Sequence, residues 1–247
     1  MSSLRDQLRE MHLPGMIGAY EEQHADPRFL ELSFDELFGL IVDREWTKRQ
    51  NTRQDRLLKA AHFRIPAAPE DVDLATPRGI DRGVFLALCM ADWVGRHQNA
   101  LVTGPTGVGK TFLACALGHA ACRQGYTVRY FRISRLLAEL ALALGDGTYP
   151  RLVDNLAKVK LLVLDDWGLD PLSDAQGRAL LDLLDERAGR ASTLIASQLP
   201  VDHWHGVITN PTIADAILDR IVHGAHRLSL KGDSMRRLGA AAVHDVP

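Results

Sequence analysis

The strongest constraint on this chain is the stretch Leu101-Val102-Thr103-Gly104-Pro105-Thr106-Gly107-Val108-Gly109-Lys110-Thr111. A short apolar run stops at Gly104, and Gly109, Lys110 and Thr111 follow at the spacing G-x-x-x-x-G-K-T, the Walker A pattern. Its glycines permit positive-φ turns that aim several backbone N–H groups at one anion. Phe112 to Arg123 is rich in Ala and Leu and stops before Gly125. A helix therefore starts where the loop ends and points its unsatisfied N–H groups at the same anion. The expected phosphate cradle is Gly104, Pro105, Thr106, Gly107, Val108, Gly109, Lys110, Thr111 and Phe112. Lys110 would reach the β and γ phosphates of ATP, and the Thr111 hydroxyl would ligate Mg²⁺. A ligand-free strand-to-helix turn is the alternative, but this spacing arises by chance in only about one chain in a hundred of such length.

A second acidic element supports the first. Leu161-Leu162-Val163-Leu164 ends in Asp165-Asp166, the form of a Walker B strand. Asp165 would hold Mg²⁺ and Asp166 would polarise the attacking water. A further strand, Ser192 to Ser197, ends at Gln198. Gln198, or else Ser197, would orient that water; a loop-capping amide is the plainer reading. In Ala216-Ile-Leu-Asp219-Arg220-Ile-Val-His223, Arg220 projects from a helix whose apolar face packs inward. It would serve a neighbouring subunit's γ-phosphate, or else pair with Asp219 at the surface.

Around these motifs the chain alternates. Strands are expected at 99–103, 127–132, 160–166 and 192–197. Helices are expected at 80–96, after the P-loop, from a Ser134 cap to 144, from a Ser173/Gln176 capping box to 188, and around Arg220. Near-continuous apolar strands alternating with helices imply an α/β fold with a parallel sheet covered on both faces.

The first 64 residues read instead as helices, broken at Leu13-Pro14-Gly15-Met16 and at Asp26-Pro27. Ser33 and Glu36 form a capping box that opens a long helix to about Phe63. Its first half is amphipathic through Leu37, Phe38, Ile41, Val42 and Trp46. From Arg44 to Arg64 it carries seven basic residues against Glu45 and Asp55 alone. Arg49, Arg53 and Arg56 share one face. Arg44, Lys48, Arg49, Arg53, Arg56 and Lys59 are thus candidate duplex-DNA contacts, with a merely solvated face the equal alternative. The division expected is a helical domain over 1–65, a Pro-rich linker or extended wrap over 66–79, a nucleotide-binding domain over 80–238 and a frayed tail over 239–247.

Composition excludes more than it selects. A net charge of −2 over 247 residues gives no global pull toward nucleic acid, so any such affinity must be local. A leader sequence or membrane span is not expected, which suggests a cytoplasmic protein without a membrane partner. The three cysteines read as small buried thiols of a reducing compartment. His203, His205, His223 and His226 show His-x-His and His-x-x-His spacings, but they fall in a Trp204-containing loop and near a helix end without a Cys partner, so a metal site is not expected.

Taken together, Leu13-Pro-Gly-Met16, the Arg-rich helix, the Walker motifs through Leu164-Asp-Asp-Trp-Gly168, Ala196-Ser-Gln198, Asp219-Arg-Ile221 and Gly232-Asp-Ser-Met-Arg236 resemble the IstB-like ATPases. These are helper proteins encoded beside the transposase of bacterial insertion sequences, similar to the DnaC helicase loaders within the AAA+ superfamily. The resemblance spans about residues 4–238. It implies an AAA+ P-loop core preceded by a small all-helical domain, and a homo-oligomer, ring or helical, assembled on duplex DNA with ATP. It further implies a cognate transposase as client. By the same resemblance Gln198 is the sensor candidate, Arg220 the arginine finger and Arg236 a further phosphate contact. Many AAA+ proteins carry Asp-Glu where this chain has Asp165-Asp166, so slow hydrolysis is expected. Three alternatives use the same motifs: a helicase loader, a small-molecule P-loop kinase, and a DNA scaffold with an inert ATP site.

Overall fold

Strands that are apolar at both parities must be covered on two sides, and the computed structural model, which describes residues 3–235, has that form. Five parallel strands, β1 (Ala100–Thr103), β2 (Val128–Arg132), β3 (Leu161–Trp167), β4 (Ser192–Ser197) and β5 (His226–Ser229), lie in the order β2-β3-β4-β1-β5. Successive side chains of a strand face opposite ways. Val102, Leu161, Val163, Leu194 and Ala196 accordingly enter one hydrophobic cluster, and Leu101, Leu162, Leu164 and Ile195 the other. The first cluster is closed by α4 (Arg82–Cys89) and α6 (Lys110–Arg123). The second is closed by α7 (Ile133–Asp146), α8 (Tyr149–Ala157), α9 (Asp174–Arg187) and α10 (Pro211–Val222).

The chain divides into two compact units, residues 1–56 and 57–247. In the first, α1 (Leu4–Glu10) and α2 (Pro14–Ala25) precede the start of α3 (Phe34–Ala61), whose last turn, from Leu57, belongs to the second unit. Helix α3 opens on the expected Ser33/Glu36 box, where Glu36 accepts from the Ser33 N–H at 2.8 Å. The Leu13-Pro14-Gly15-Met16 segment is the start of α2, with Pro14 in its first turn. That placement is favourable because the missing proline N–H has no partner there anyway. Two of the remaining N–H groups, Gly15 and Met16, donate to the buried Glu45 carboxylate of α3 at 2.7 and 3.3 Å. Gly15 is needed for this approach, since a Cβ there would meet Glu45 Cα at 2.7 Å. Arg49 donates to the other oxygen at 2.7 Å. Burial alone would raise the Glu45 pKa, but these donors outweigh it and hold the carboxyl below its ordinary value. The amphipathic half of α3 is not fully covered: Phe34, Phe38 and Trp46 are exposed, the two Phe rings stacked at 5.9 Å.

Several local expectations are corrected. The helix expected over 80–96 is two, α4 and the short α5 (Asp92–Gly95), broken where Ala91 takes φ 59°. Ser134 does not cap α7; the helix begins at Ile133, its N-cap is Arg132 without a side-chain bond, and it ends at Gly147 in the left-handed region. Two elements, α8 and β5, have no counterpart among the sequence expectations. The His-Arg-Leu-Ser sequence of β5 is too short and polar to signal a strand, and only pairing with β1, from Ala100↔His226 to Thr103↔Ser229, makes it one. Trp204 is fully buried against Trp167, ring centroids 5.4 Å apart. The stretch read as a linker or wrap contributes Ala67 and Val72 to the core of the second unit. No helix among the described residues is long and apolar enough to cross a membrane. The tail 239–247 lies outside the described residues.

Candidate nucleotide site

The sheet order sets the site. β4 inserts between β1 and β3, so three adjacent strands end at one edge: β1 leads into the P-loop, β3 carries Asp165 and Asp166 just before its end at Trp167, and β4 leads into Gln198. Adjacent strands lie about 4.8 Å apart, so β1 and β3 are separated by roughly 10 Å, close to the length of a triphosphate. Gly104, Gly107 and Gly109 take φ of +147°, +88° and +99°. Gly109 is constrained twice, because a Cβ there would also stand 2.7 Å from the Arg78 guanidinium.

Within this loop Val108 is buried in the core and Phe112 packs against it, while Pro105 and Thr106 are exposed. Lys110 folds back to donate from Nζ to the Pro105 carbonyl at 2.7 Å. Burial pulls its ammonium below the usual pKa, against the opposing charges of Asp165 and Asp166. Thr111 Oγ1 donates to Asp165 Oδ2 at 2.8 Å. Asp165 is 1% exposed, and the same oxygen accepts from Tyr130 at 2.7 Å. Desolvation first, then this bond, pushes the Tyr130 hydroxyl well above its ordinary pKa, so it stays a donor. A hydroxyl and a carboxylate meeting at this distance form the oxygen donor set that a small hard divalent cation takes.

Asp166 lies at a break in register between β3 and β4, with φ +61°. Its Oδ2 faces two arginines, Arg64 at 3.5 Å and Arg132 at 3.6 Å. Gln198 meets the P-loop through Thr106, whose hydroxyl donates to Gln198 Oε1 at 2.9 Å. Ser197, the other candidate at this strand end, is fully buried; it donates to the Trp167 carbonyl at 2.8 Å and accepts from the Leu199 N–H at 3.0 Å.

The structure does not bring Arg220 to this edge. Its carbonyl accepts from Asn99, the residue before β1, at 2.8 Å, which puts it at the opposite end of the sheet. Its guanidinium pairs with Asp185 of α9, not with Asp219, and donates to the Ala216 carbonyl at 2.7 Å. Arg236 lies outside the described residues, but the chain just before it reaches the P-loop: the Met235 N–H donates to the Gly107 carbonyl at 3.0 Å. A Cβ on Gly107 would strike Ser234 Oγ at 2.2 Å.

Of the basic helix, Arg44 pairs with Glu22 and Arg49 with Glu45, both within the first unit. Lys48, Arg53, Arg56 and Lys59 are exposed. His205 stands 3.4 Å from Asp215 and His226 Nε2 3.0 Å from Gln98. No group of three or more His, Cys, Asp or Glu among the described residues could hold a metal. Cys115 and Cys122 are buried, and burial raises their thiols to about 11 and about 12.

Three site residues escape a reading of the sequence. Tyr130 reads there as one more core aromatic of a strand. Arg64 reads only as a charge in a basic run. Arg78 sits in a Pro-rich stretch with no motif, yet is 5% exposed and donates to the Val108 carbonyl at 3.0 Å. Ser234 has a signal, being part of the Gly232-to-Arg236 motif.

Comparison with known proteins identifies the family. A family described as IstB-like ATP binding protein matches residues 6–241. An insertion-sequence ATP-binding protein of Sinorhizobium fredii is 50% identical over 94% of this chain and 95% of its own length. The insertion sequence IS21 ATP-binding protein of Pseudomonas aeruginosa is 31% identical over 94% of this chain and 87% of its own. Among solved structures, DnaI has a TM-score of 0.58 at 22% identity, covering 71% of this chain and 93% of that one. The replication initiator DnaA bound to AMPPCP and single-stranded DNA also scores 0.58, at 17% identity, over 74% of this chain and 56% of that one. At such identities the likeness concerns the fold. With its Walker side chains gathered on one edge of a β2-β3-β4-β1-β5 sheet, the chain belongs to the IstB-like ATP-binding protein family and is an ATPase that shares the fold of DnaI and DnaA.

Proposed function

We propose that this ATPase binds Mg²⁺–ATP at the P-loop edge, self-assembles on duplex DNA and assists a transposase during insertion-sequence transposition in the cytoplasm. The observation that carries the reading is the placement of Arg220 at the sheet end opposite Lys110, Asp165 and Gln198. A protein so built has half of a hydrolytic site at each end, and a second copy must join them.

Within the site, Lys110 leaves the Pro105 carbonyl to neutralise the β and γ phosphates, and the P-loop N–H groups hold their oxygens. Thr111 and Asp165 would hold Mg²⁺, which would supply charge neutralisation for phosphoryl transfer. Asp166 and Gln198 orient the attacking water. Its oxygen bonds to the γ-phosphorus as the bond to the bridging oxygen breaks; ADP leaves with that electron pair, and the water's proton passes to Asp166 or to the departing phosphate. Asp166 is one methylene shorter than glutamate, which favours a slow, timer-like rate. Arg220 of a neighbouring copy completes the charge balance. A small-molecule kinase is less suited to this arrangement, because such an enzyme closes its arginines within one subunit.

The transposition reading is preferred to helicase loading because the relatives that cover nearly the whole chain belong to insertion sequences. The exposed basic residues Lys48, Arg53, Arg56 and Lys59 are the proposed duplex contacts. Steady-state ATP hydrolysis, measured alone, with duplex DNA and with a cognate insertion-sequence transposase, tests the reading. Stimulation by duplex DNA and by the transposase is expected. Stimulation by a replicative helicase in place of both would move the protein to the loader class, and no response to any partner would refute a regulated assembly.

A further inference from the structure

The acid assigned to orient water is engaged by its own chain, and by an unexpected residue. Just beyond α3 the backbone is fastened to the sheet and to the P-loop helix α6. Ala61 is fully buried, the Ala60 carbonyl accepts from Arg129 at 3.0 Å, and the Phe63 ring lies 2.6 Å from where a Cβ on Gly118 of α6 would stand. Arg64 follows immediately. Its guanidinium is thereby held 3.5 Å from Asp166 Oδ2 and 4.0 Å from Asp165 Oδ2. Arg132, in register with Asp165 at the end of β2, reaches the same Asp166 oxygen at 3.6 Å.

A carboxylate oxygen already engaged by two guanidiniums has few lone-pair directions left to receive a hydrogen bond from water. Asp166 itself takes φ +61°, a backbone conformation that few L side chains adopt. We propose that Arg64 is a positioning residue that latches Asp166 away from the attacking water, and that ATP hydrolysis requires the latch to open. Arg64 lies three positions past the end of α3, the helix that carries the basic run. A load on that helix therefore reaches the catalytic carboxylate through a very short length of chain. The inference rests on the reading of Asp166 as the residue that orients water.

The test is ATPase kinetics of the full chain without DNA for the wild type, Arg64→Ala, Arg64→Lys, Asp166→Asn and the Arg64→Ala/Asp166→Asn double variant. Arg64→Ala should raise kcat by roughly three- to tenfold, the scale of a partly exposed ion-pair preference, with KM for ATP within about twofold. Arg64→Lys should fall between, since it keeps the charge but loses the planar fork. The gain should vanish in the double variant. A fall in kcat in Arg64→Ala would overturn the latch and make Arg64 a transition-state cation, and an unchanged kcat would make it a spectator. Wild-type activity in Asp166→Asn alone would instead refute the assignment of Asp166 on which the inference stands.

Discussion

Removing the Arg220 guanidinium separates hydrolysis within one copy from hydrolysis between copies. The Arg220 carbonyl is bonded to Asn99, and the P-loop begins five residues further along β1 at Gly104. At about 3.3 Å per residue that is roughly 16 Å, while an extended arginine side chain covers less than half of it. The residue cannot reach the phosphates of its own copy. Arg220→Ala should therefore leave nucleotide affinity unchanged and reduce hydrolysis on the order of 10³-fold or more, equivalent to about 4 kcal/mol of transition-state stabilisation. Asp166→Asn retains Lys110 and the P-loop, so it binds nucleotide and still offers its own Arg220. When the two variants are mixed in equal amounts and assemble at random, about a quarter of the interfaces pair an intact Walker B carboxylate with an intact arginine. Phosphate release by the mixture should approach that share of the wild-type rate, far above either parent. A mixture as inactive as its components would refute the shared site. Because Asp185 pairs with Arg220 in the isolated chain, Asp185→Asn should lower the protein concentration at which activity appears, as read by a dilution series.

Three further outcomes follow from the same geometry. Lys110→Ala should abolish ATP binding in fluorescent-nucleotide titrations, since the P-loop then lacks its cation for the β and γ phosphates. Replacing Lys48, Arg56 and Lys59 with Ala should reduce the slope of log K against log salt for duplex DNA by about 0.9 for each phosphate no longer neutralised, and an unchanged slope in an anisotropy titration would make this face merely solvated. Arg49 is unsuitable for that experiment because it holds Glu45. Glu45→Gln should destabilise the first unit by roughly 2–3 kcal/mol, the range for hydrogen bonds to a buried charge. The Glu45 carboxyl is depressed from its ordinary 4.5. Its contribution is therefore complete above about that pH and is lost as pH falls through the lower folded value; chemical denaturation at pH 7 and pH 3 should show the variant losing less on acidification.

Much of this protein was legible in one dimension because its determinants are local. The Gly104-to-Thr111 spacing encodes a backbone conformation, the Leu161-to-Asp166 run ends at a sheet edge wherever such a strand is placed, and the Ser33 and Ser173 boxes close their own helix ends. These interactions join residues a few positions apart, so composition and spacing carry them. What tertiary structure alone decided are the long-range pairings. Tyr130 becomes a donor to Asp165 across 35 positions, Arg64 meets Asp166 across 102, and the Glu45 carboxylate caps a helix 30 residues before it. The strand His226–Ser229 exists because β1 offers it a free edge, since its own residues have no β preference strong enough to form one. Arg64 and Arg220 look alike in sequence, each a cation at the end of a helical run. Their separation to opposite ends of the sheet comes from strand order and from which neighbours bury the flanking residues, and a charge shows neither until the chain has closed around it.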